Sequence, residues 1–230
     1  MDAPTMDLDC ALELLATQGW FAQRPAKTRA ALGAIAKLRR FAKNDRIYLA
    51  GDAPNGMFGL ISGSLNISIP RADGEDYTAH RAGVGFWLGD LALFSQGPRL
   101  VSVHAAEPTL MVHLPAHDLW RLVEDDPRLY ADFYALTYQN FRTAFDVISN
   151  LAMPSTEKRV ADRLLLEVET CGDAAGWIPL SQAELANLTA VSLPTLKRIM
   201  RRFVGEGLID HRYARIQVLD KDALARLCRG

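Results

Sequence analysis

The stretch from Leu180 to His211, LSQAELANLTAVSLPTLKRIMRRFVGEGLIDH, constrains this chain more than any other. It holds two short helix patterns, each with its own start signal, separated by a turn too tight for anything but a sharp crossing. Ser181 and Glu184 stand at capping-box spacing, where hydroxyl and carboxylate each satisfy a free backbone N–H. Leu185 and Leu188 give the first helix its apolar face. Ser192 opens the second, and Pro194 is tolerated because it falls in the first turn. Leu196, Ile199, Met200 and Phe203 then recur at helical spacing. Between them the polar face carries Thr195, Lys197, Arg198, Arg201 and Arg202. A helix with an apolar back and a basic front, crossed by a shorter helix, suits a DNA major groove. The alternative is a helical hairpin with a solvated basic face.

The residues C-terminal to Phe203 support the groove reading. Gly205 and Gly207 turn the chain, and Leu208 to Leu219 alternate apolar residues about a polar centre, which predicts a small hairpin. Its tip bears Arg212 and Arg215, placed for phosphate contacts that set position and affinity but carry no sequence information. The unit therefore reads as a winged helix-turn-helix. The whole chain has a formal charge of −1, so general polyanion binding is not indicated. Yet Lys197, Arg198, Arg201, Arg202, Arg212 and Arg215 face only Glu206 and Asp210 between positions 197 and 215, a local excess of positive charge.

Upstream the pattern changes. Short apolar runs at Ile47–Leu49, Met57–Ile61, Leu65–Ile69, Leu100–Val103 and Thr109–Leu114 alternate with Gly, Asp, Asn and Pro turns. That spacing predicts an antiparallel β-sandwich or jelly roll. Helical stretches are expected before it at Leu8–Leu15 and Thr28–Leu38, and a long helix after it from Pro127 to Ala152. In that helix Tyr130, Thr137, Ala144 and Leu151 fall seven apart, as do Phe133, Asn140 and Val147. The repeat predicts a parallel dimer seam of Phe133, Asn140, Val147 and Leu151, widened by Tyr134, Phe141 and Ile148. Packing of the helix on the sandwich is the competing use of the same face. The expected α+β architecture is an effector domain over 1–126, a dimerisation helix over 127–153 and a DNA-binding domain over 154–230.

Several classes are disfavoured. No apolar run approaches the roughly 18 residues that span a bilayer, and MDAPTMDLDC lacks a basic-then-apolar leader, so a cytoplasmic location is expected. Cys10, Cys171 and Cys228 are isolated, with no C-x-x-C pair. His113 and His117 stand four apart across Pro115 without the glutamate of a helical zinc motif, so no metal site is expected. No catalytic triad or phosphate-binding glycine loop supports an enzyme.

A sandwich, a long helix and a winged helix-turn-helix together resemble the CRP/FNR family of transcription regulators over nearly the whole chain, most closely in the DNA-binding unit and in FWLGDLALF. The resemblance implies a homodimer on a palindromic operator in double-stranded DNA, with RNA polymerase as a further partner. It also implies an effector pocket at Gly89, Asp90, Leu91, Arg99, Leu100, Ala144 and Phe145. There Arg99 keeps a cation for a phosphate and Asp90 an acceptor for a ribose hydroxyl. Leu100 replaces a hydroxyl donor, and Ala144 and Phe145 stand where the family's hydroxyls reach a purine. A site without those polar partners discriminates poorly for cyclic AMP; another small effector and an empty pocket are the other two readings. The family's recognition pattern also changes here, to Ser192-Leu193-Pro194-Thr195-Leu196-Lys197-Arg198. Leu193 takes the place of a guanine-reading arginine, losing about 1–3 kcal/mol of discrimination at that base, and is free to touch a thymine methyl. Arg198 keeps the second base-reading position, while Ser192 and Thr195 reach phosphates.

Overall fold

The computed structural model describes residues 6–229 apart from 73, 75 and 174. Residues 1–5, part of the N-terminal stretch read for a leader, lie outside the described residues. The chain forms two compact units, one of residues 1–76 and 82–143, the other of residues 77–81 and 144–230. The long helix is thus shared between the units, where the sequence suggests a segment of its own.

The first unit begins with α1 (Leu8–Leu15), capped by Asp7 accepting from the Cys10 N–H at 2.9 Å. After α2 (Gly19–Ala22), α3 (Ala26–Ile35) stops short of the expected Leu38. Residues from Lys37 onward instead form β1 (Lys37–Phe41), which pairs antiparallel with β8 (Thr109–Pro115) from Lys37↔His113 to Phe41↔Thr109. The same sheet adds β3 (Gly56–Ser62) and β6 (Trp87–Leu88) in the order β1-β8-β3-β6. A second sheet orders β2 (Arg46–Tyr48), β7 (Ser102–Ala105) and β4 (Leu65–Pro70) as β2-β7-β4.

Strands β3 and β8 are apolar at nearly every position because both of their faces are covered. Met57, Ile61, Leu110, Val112 and Leu114 point into a core shared with the helices, around Trp20, Leu32 and Phe133. Phe58, Leu60 and Met111 point the other way, against Tyr48, Leu65 and Val103 of the second sheet. The two-residue side-chain period thus divides one strand pair between two cores. Between β6 and β7 lies α4 (Asp90–Ser95), and α5 (Ala116–Asp125) follows β8.

The long helix α6 runs Leu129–Ala152, and here the expected dimer seam needs correction. Phe133 is only 2% exposed, its ring packed on Phe94 at 4.6 Å and on Trp20 at 5.9 Å. Val147 is buried as well, Leu151 is half-buried, and the Asn140 amide is spent on Asp90. Phe133 and Asn140 hold the helix to its own chain, and buried Val147 is closed to a partner helix. The exposed apolar stripe is Tyr134, Tyr138, Phe141, Phe145 and Ile148, at alternating spacings of four and three. A helix with two apolar stripes satisfies a heptad count twice, and the count does not say which stripe faces inward.

The second unit comprises Tyr77–Arg81 from the middle of β5 (Asp76–Ala82), the end of α6 and everything after it. There α7 (Thr156–Cys171) starts at Ser155, whose hydroxyl accepts from the Lys158 N–H. Strands β9 (Trp177–Ile178), β10 (Ile209–Arg212) and β11 (Arg215–Val218) form a sheet ordered β10-β11-β9, and α10 (Lys221–Arg229) closes the chain. Leu164, Leu185, Leu196, Phe203 and Ile216 lie in its core. Charge is buried here too. Arg163 and Glu167, one turn apart and almost fully enclosed, pair at 2.8 Å, and Arg163 also donates to the Ala79 carbonyl at 3.1 Å. Burial pushes the Glu167 carboxyl up, against the pull of Arg163, and drives the enclosed His80 imidazole down to about 3.

Candidate functional site

Two surfaces carry the side chains that the sequence singles out, one in each unit. In the second unit the sequence-level caps form as expected. The Ser181 hydroxyl accepts from the Glu184 N–H at 3.2 Å, and the Glu184 carboxylate accepts from the Ser181 N–H at 2.7 Å, starting α8 (Gln182–Leu188). The same carboxylate pairs with Arg81 at 3.2 Å. Ala190 then takes a left-handed φ of +49°, turning the chain within a few residues into α9 (Leu193–Gly205). The Ser192 hydroxyl caps α9 through the Thr195 N–H and donates to the Thr195 hydroxyl at 2.9 Å. Two groups expected at phosphates are therefore first of all each other's partners.

Leu196, Ile199, Met200 and Phe203 are buried, and Leu193, Lys197, Arg198 and Arg201 are exposed on the opposite side of α9. Among the described residues, the Lys197 and Arg198 side chains have neither a hydrogen-bond nor an ion-pair partner. Arg202 differs and corrects its place in the basic front. Its guanidinium binds Glu157 at 2.8 Å and Glu206 at 2.7 Å, and these carboxylates hold it above the ordinary arginine range. Helical geometry explains the split, since position 202 sits at the edge where α9 leaves solvent and α7 supplies a carboxylate.

The wing forms as β10 and β11, with Arg212 directly opposite Arg215 across a two-residue turn. Ala214 takes φ +54°, and Tyr213 at the tip is 99% exposed. Trp177, which no sequence signal marked, lies under both arginines, with ring-centre distances of 5.2 Å to Arg212 and 4.5 Å to Arg215.

The second surface, in the first unit, is the turn from Leu88 to Leu100. Gly89 precedes α4 at φ +105°, and a Cβ there would lie 2.7 Å from Arg99 Nη1 and 2.8 Å from the Gly56 oxygen. Glycine is required because the arginine is folded inward beneath it. Arg99 is 3% exposed and donates to the Gly89 carbonyl at 3.0 Å, the Gly56 carbonyl at 2.7 Å and the Asn55 side chain at 3.1 Å. Its guanidinium also stacks 4.2 Å from the Tyr48 ring centre. Burial pulls its pKa down. Asp90 is equally enclosed, and its two carboxylate oxygens accept from the Thr137 hydroxyl and, at 2.9 Å, from the Asn140 amide. Burial raises the Asp90 carboxyl and those donors oppose the rise.

The expected phosphate cation and ribose acceptor are thus brought into one turn but turned to internal partners. Leu100 is exposed at 63%, Leu91 is exposed, and Ala144 and Phe145 are exposed on α6. Asn55, Gly56, Tyr48 and Thr137 went unmarked as site residues because only long-range folding places them here. His113 bonds the Asn55 carbonyl at 3.2 Å and stacks on Phe58, which explains its conspicuous place on β8. No described helix is long and apolar enough to cross a membrane.

Comparison with known proteins meets these two surfaces directly. Residues 38–126 match the family model of the cyclic nucleotide-binding domain, and residues 158–227 match that of the Crp-like helix-turn-helix domain. The CRP-like cAMP-activated global transcriptional regulator of Mycobacterium tuberculosis is 23% identical over 222 residues, 94% of this chain and 99% of its own. The transcriptional activator protein Anr of Pseudomonas aeruginosa is 25% identical over 203 residues, 84% of this chain and 80% of its own. In fold, FixK2 from Bradyrhizobium japonicum matches with a TM-score of 0.75 at 19% identity, covering 84% of this chain and 97% of that one.

Proposed function

The chain belongs to the CRP/FNR family of DNA-binding transcription regulators, and from that premise we propose that it works in the cytoplasm as a homodimer that reads a palindromic operator without cyclic AMP. The observation that carries this reading is the occupied state of the turn at Gly89. A nucleotide phosphate would compete with three hydrogen bonds already made by Arg99, and a ribose with two made to Asp90. Beside Arg99 the hydroxyl donor of the family is replaced by Leu100, and Ala144 and Phe145 replace the hydroxyls that reach a purine in the family. Each buried polar group left unpaired costs about 1–3 kcal/mol, so even two such losses weaken binding by roughly 30-fold or more.

The partner surface for a second copy is the exposed stripe of α6, from Tyr134 through Tyr138, Phe141 and Phe145 to Ile148. Its alternating spacing of four and three is that of a two-helix seam, and its aromatic side chains bury large areas on pairing. Twofold symmetry then presents two α9 helices to half-sites one helical turn apart. On each half-site Arg198 offers a bidentate pair to guanine and Leu193 an apolar contact to a thymine methyl. Phosphate contacts come from Ser192, Thr195, Lys197, Arg201 and the wing. RNA polymerase is the partner that would read such a complex.

Titration calorimetry with cyclic AMP, run beside operator-binding curves, tests the ligand half of the proposal. No heat at millimolar nucleotide and an unchanged operator affinity are expected. Micromolar binding coupled to tighter operator binding would overturn it. Sedimentation tests the assembly half: Phe141→Glu should yield folded monomers, because burying an unpaired charge costs several kcal/mol. A persistent Phe141→Glu dimer would remove this stripe from the interface.

A further inference from the structure

We infer that Trp177 is a positioning residue that turns Arg212 and Arg215 into a single rigid clamp for one backbone phosphate of DNA. The inference rests on the reading of the wing as a DNA contact and adds to it a platform and a stoichiometry. It starts from the pleat. Gln217 pairs with Trp177 across β11 and β9, and Arg215 pairs with Arg212 across β11 and β10. Residues two apart on a strand share a face, so Trp177, Gln217, Arg215 and Arg212 all lie on one side of this sheet. Ile209, Ile216, Val218 and Ile178 turn to the other side, into the core. The indole therefore sits diagonally across from Arg215, within reach of a long side chain.

Both guanidiniums lie within cation–π range of that one ring, at 4.5 and 5.2 Å. Among the described residues neither forms an ion pair, unlike Arg202, Arg81 and Arg163 in the same unit. Two cations gathered on one apolar surface repel each other, and a shared anion relieves that repulsion. Two planar forks side by side offer parallel N–H donors matched to the oxygens of a phosphate, which is what guanidinium provides and ammonium does not. The Trp177 backbone is in turn held in place, since its main-chain N–H donates to the Asp173 carboxylate at 2.9 Å and its carbonyl accepts from the Asp173 N–H at 2.9 Å. The ordering of the two long side chains is thus done before DNA arrives.

The test is a mutant cycle on the full-length protein, read as affinity for a random duplex across a salt series. Trp177→Leu is expected to weaken binding about fivefold to tenfold, while Trp177→Phe stays within about twofold because a ring remains. In the Arg212→Ala, Arg215→Ala background, Trp177→Leu should have no further effect. An equal loss from Trp177→Leu in both backgrounds would show that the indole only supports the hairpin, and would overturn the inference. Should Trp177→Leu fail to fold, the pair Arg212→Lys, Arg215→Lys carries the same question with charge conserved. A clamp predicts about fivefold weaker binding at an unchanged salt slope; unchanged affinity would mean two independent point charges. If the double alanine variant itself binds like wild type, the wing reading fails as a whole, which is a different result from failure of the clamp.

Discussion

Arg198 and Arg99 are the same residue type put to opposite uses. Arg198 stands exposed on α9 with no partner of its own among the described residues. Arg99 lies beneath Gly89 with its terminal nitrogens committed to two carbonyls and one amide oxygen. A cation awaiting a ligand is left unsatisfied in water, where that costs little. A cation enclosed by the fold must be satisfied by the fold, and it then belongs to the structure. The same contrast separates Lys197, whose side chain has no partner among the described residues, from Arg202, which two carboxylates hold. On the proposed function, exposure with no internal partner is a better guide to the DNA-binding surface than charge alone.

The sharpest break of this comparison comes from stability. Arg99→Ala leaves the buried Gly56 carbonyl and the half-buried Gly89 carbonyl without this donor and should cost about 1–3 kcal/mol in urea unfolding of the full chain. Arg198→Ala should leave unfolding within about 0.5 kcal/mol of wild type, as for surface substitutions away from special features. A fully stable Arg99→Ala protein would mean the guanidinium is not structural, and would return it to the ligand. Next in size is specificity. Arg198→Ala should lose about 1–3 kcal/mol of preference for the operator over random DNA, measured by competition at one fixed salt concentration. Equal loss on both duplexes would move Arg198 from the base edges to the backbone.

A third prediction concerns the closed polar set of the second unit. His80 is held near 3 in the fold, against about 6.5 when unfolded. Unfolding therefore takes up a proton between those values, so the contribution of His80 is complete above about pH 6.5 and declines as the pH falls. Glu167, held up by burial, works in the other direction, losing stability as the pH rises through its folded value. His80→Gln removes only the first effect. The loss of stability between pH 7 and pH 5 should be about 1–2 kcal/mol smaller in the variant than in wild type. Parallel pH curves for the two proteins would rule out a neutral, enclosed imidazole. The smallest effect belongs to Arg202→Ala, whose DNA affinity and salt slope should match wild type, with little stability lost because its ion pairs are exposed. A slope lower by one phosphate contact would put Arg202 back on the DNA face.

Much of the DNA-binding unit was legible in the sequence because its signals are local. Caps at Ser181 and Ser192, the apolar period from Leu196 to Phe203 and the Gly205–Gly207 turn each act within a few residues. The strands at Met57 and Thr109 were visible for the same reason, as continuous apolar runs. The long helix was only half legible. Its length and heptads are written in the chain, but Phe133 and Tyr134 are adjacent aromatics, and only the core around Trp20 and Phe94 decides which one faces inward.

By itself, the sequence determined the broad order of a strand-rich region, a long helix and a winged helix-turn-helix, the family and the basic front of α9, since propensity, capping and periodicity are properties of neighbours along the chain. Only the tertiary structure decided the occupancy of each charge. Arg99 meets Gly56 across 43 positions, Asp90 meets Asn140 across 50, Arg202 meets Glu157 across 45, and Trp177 meets the wing arginines through a strand pairing. Such partners are set by where remote segments come to rest in the packed fold, and short-range pattern carries no information about that.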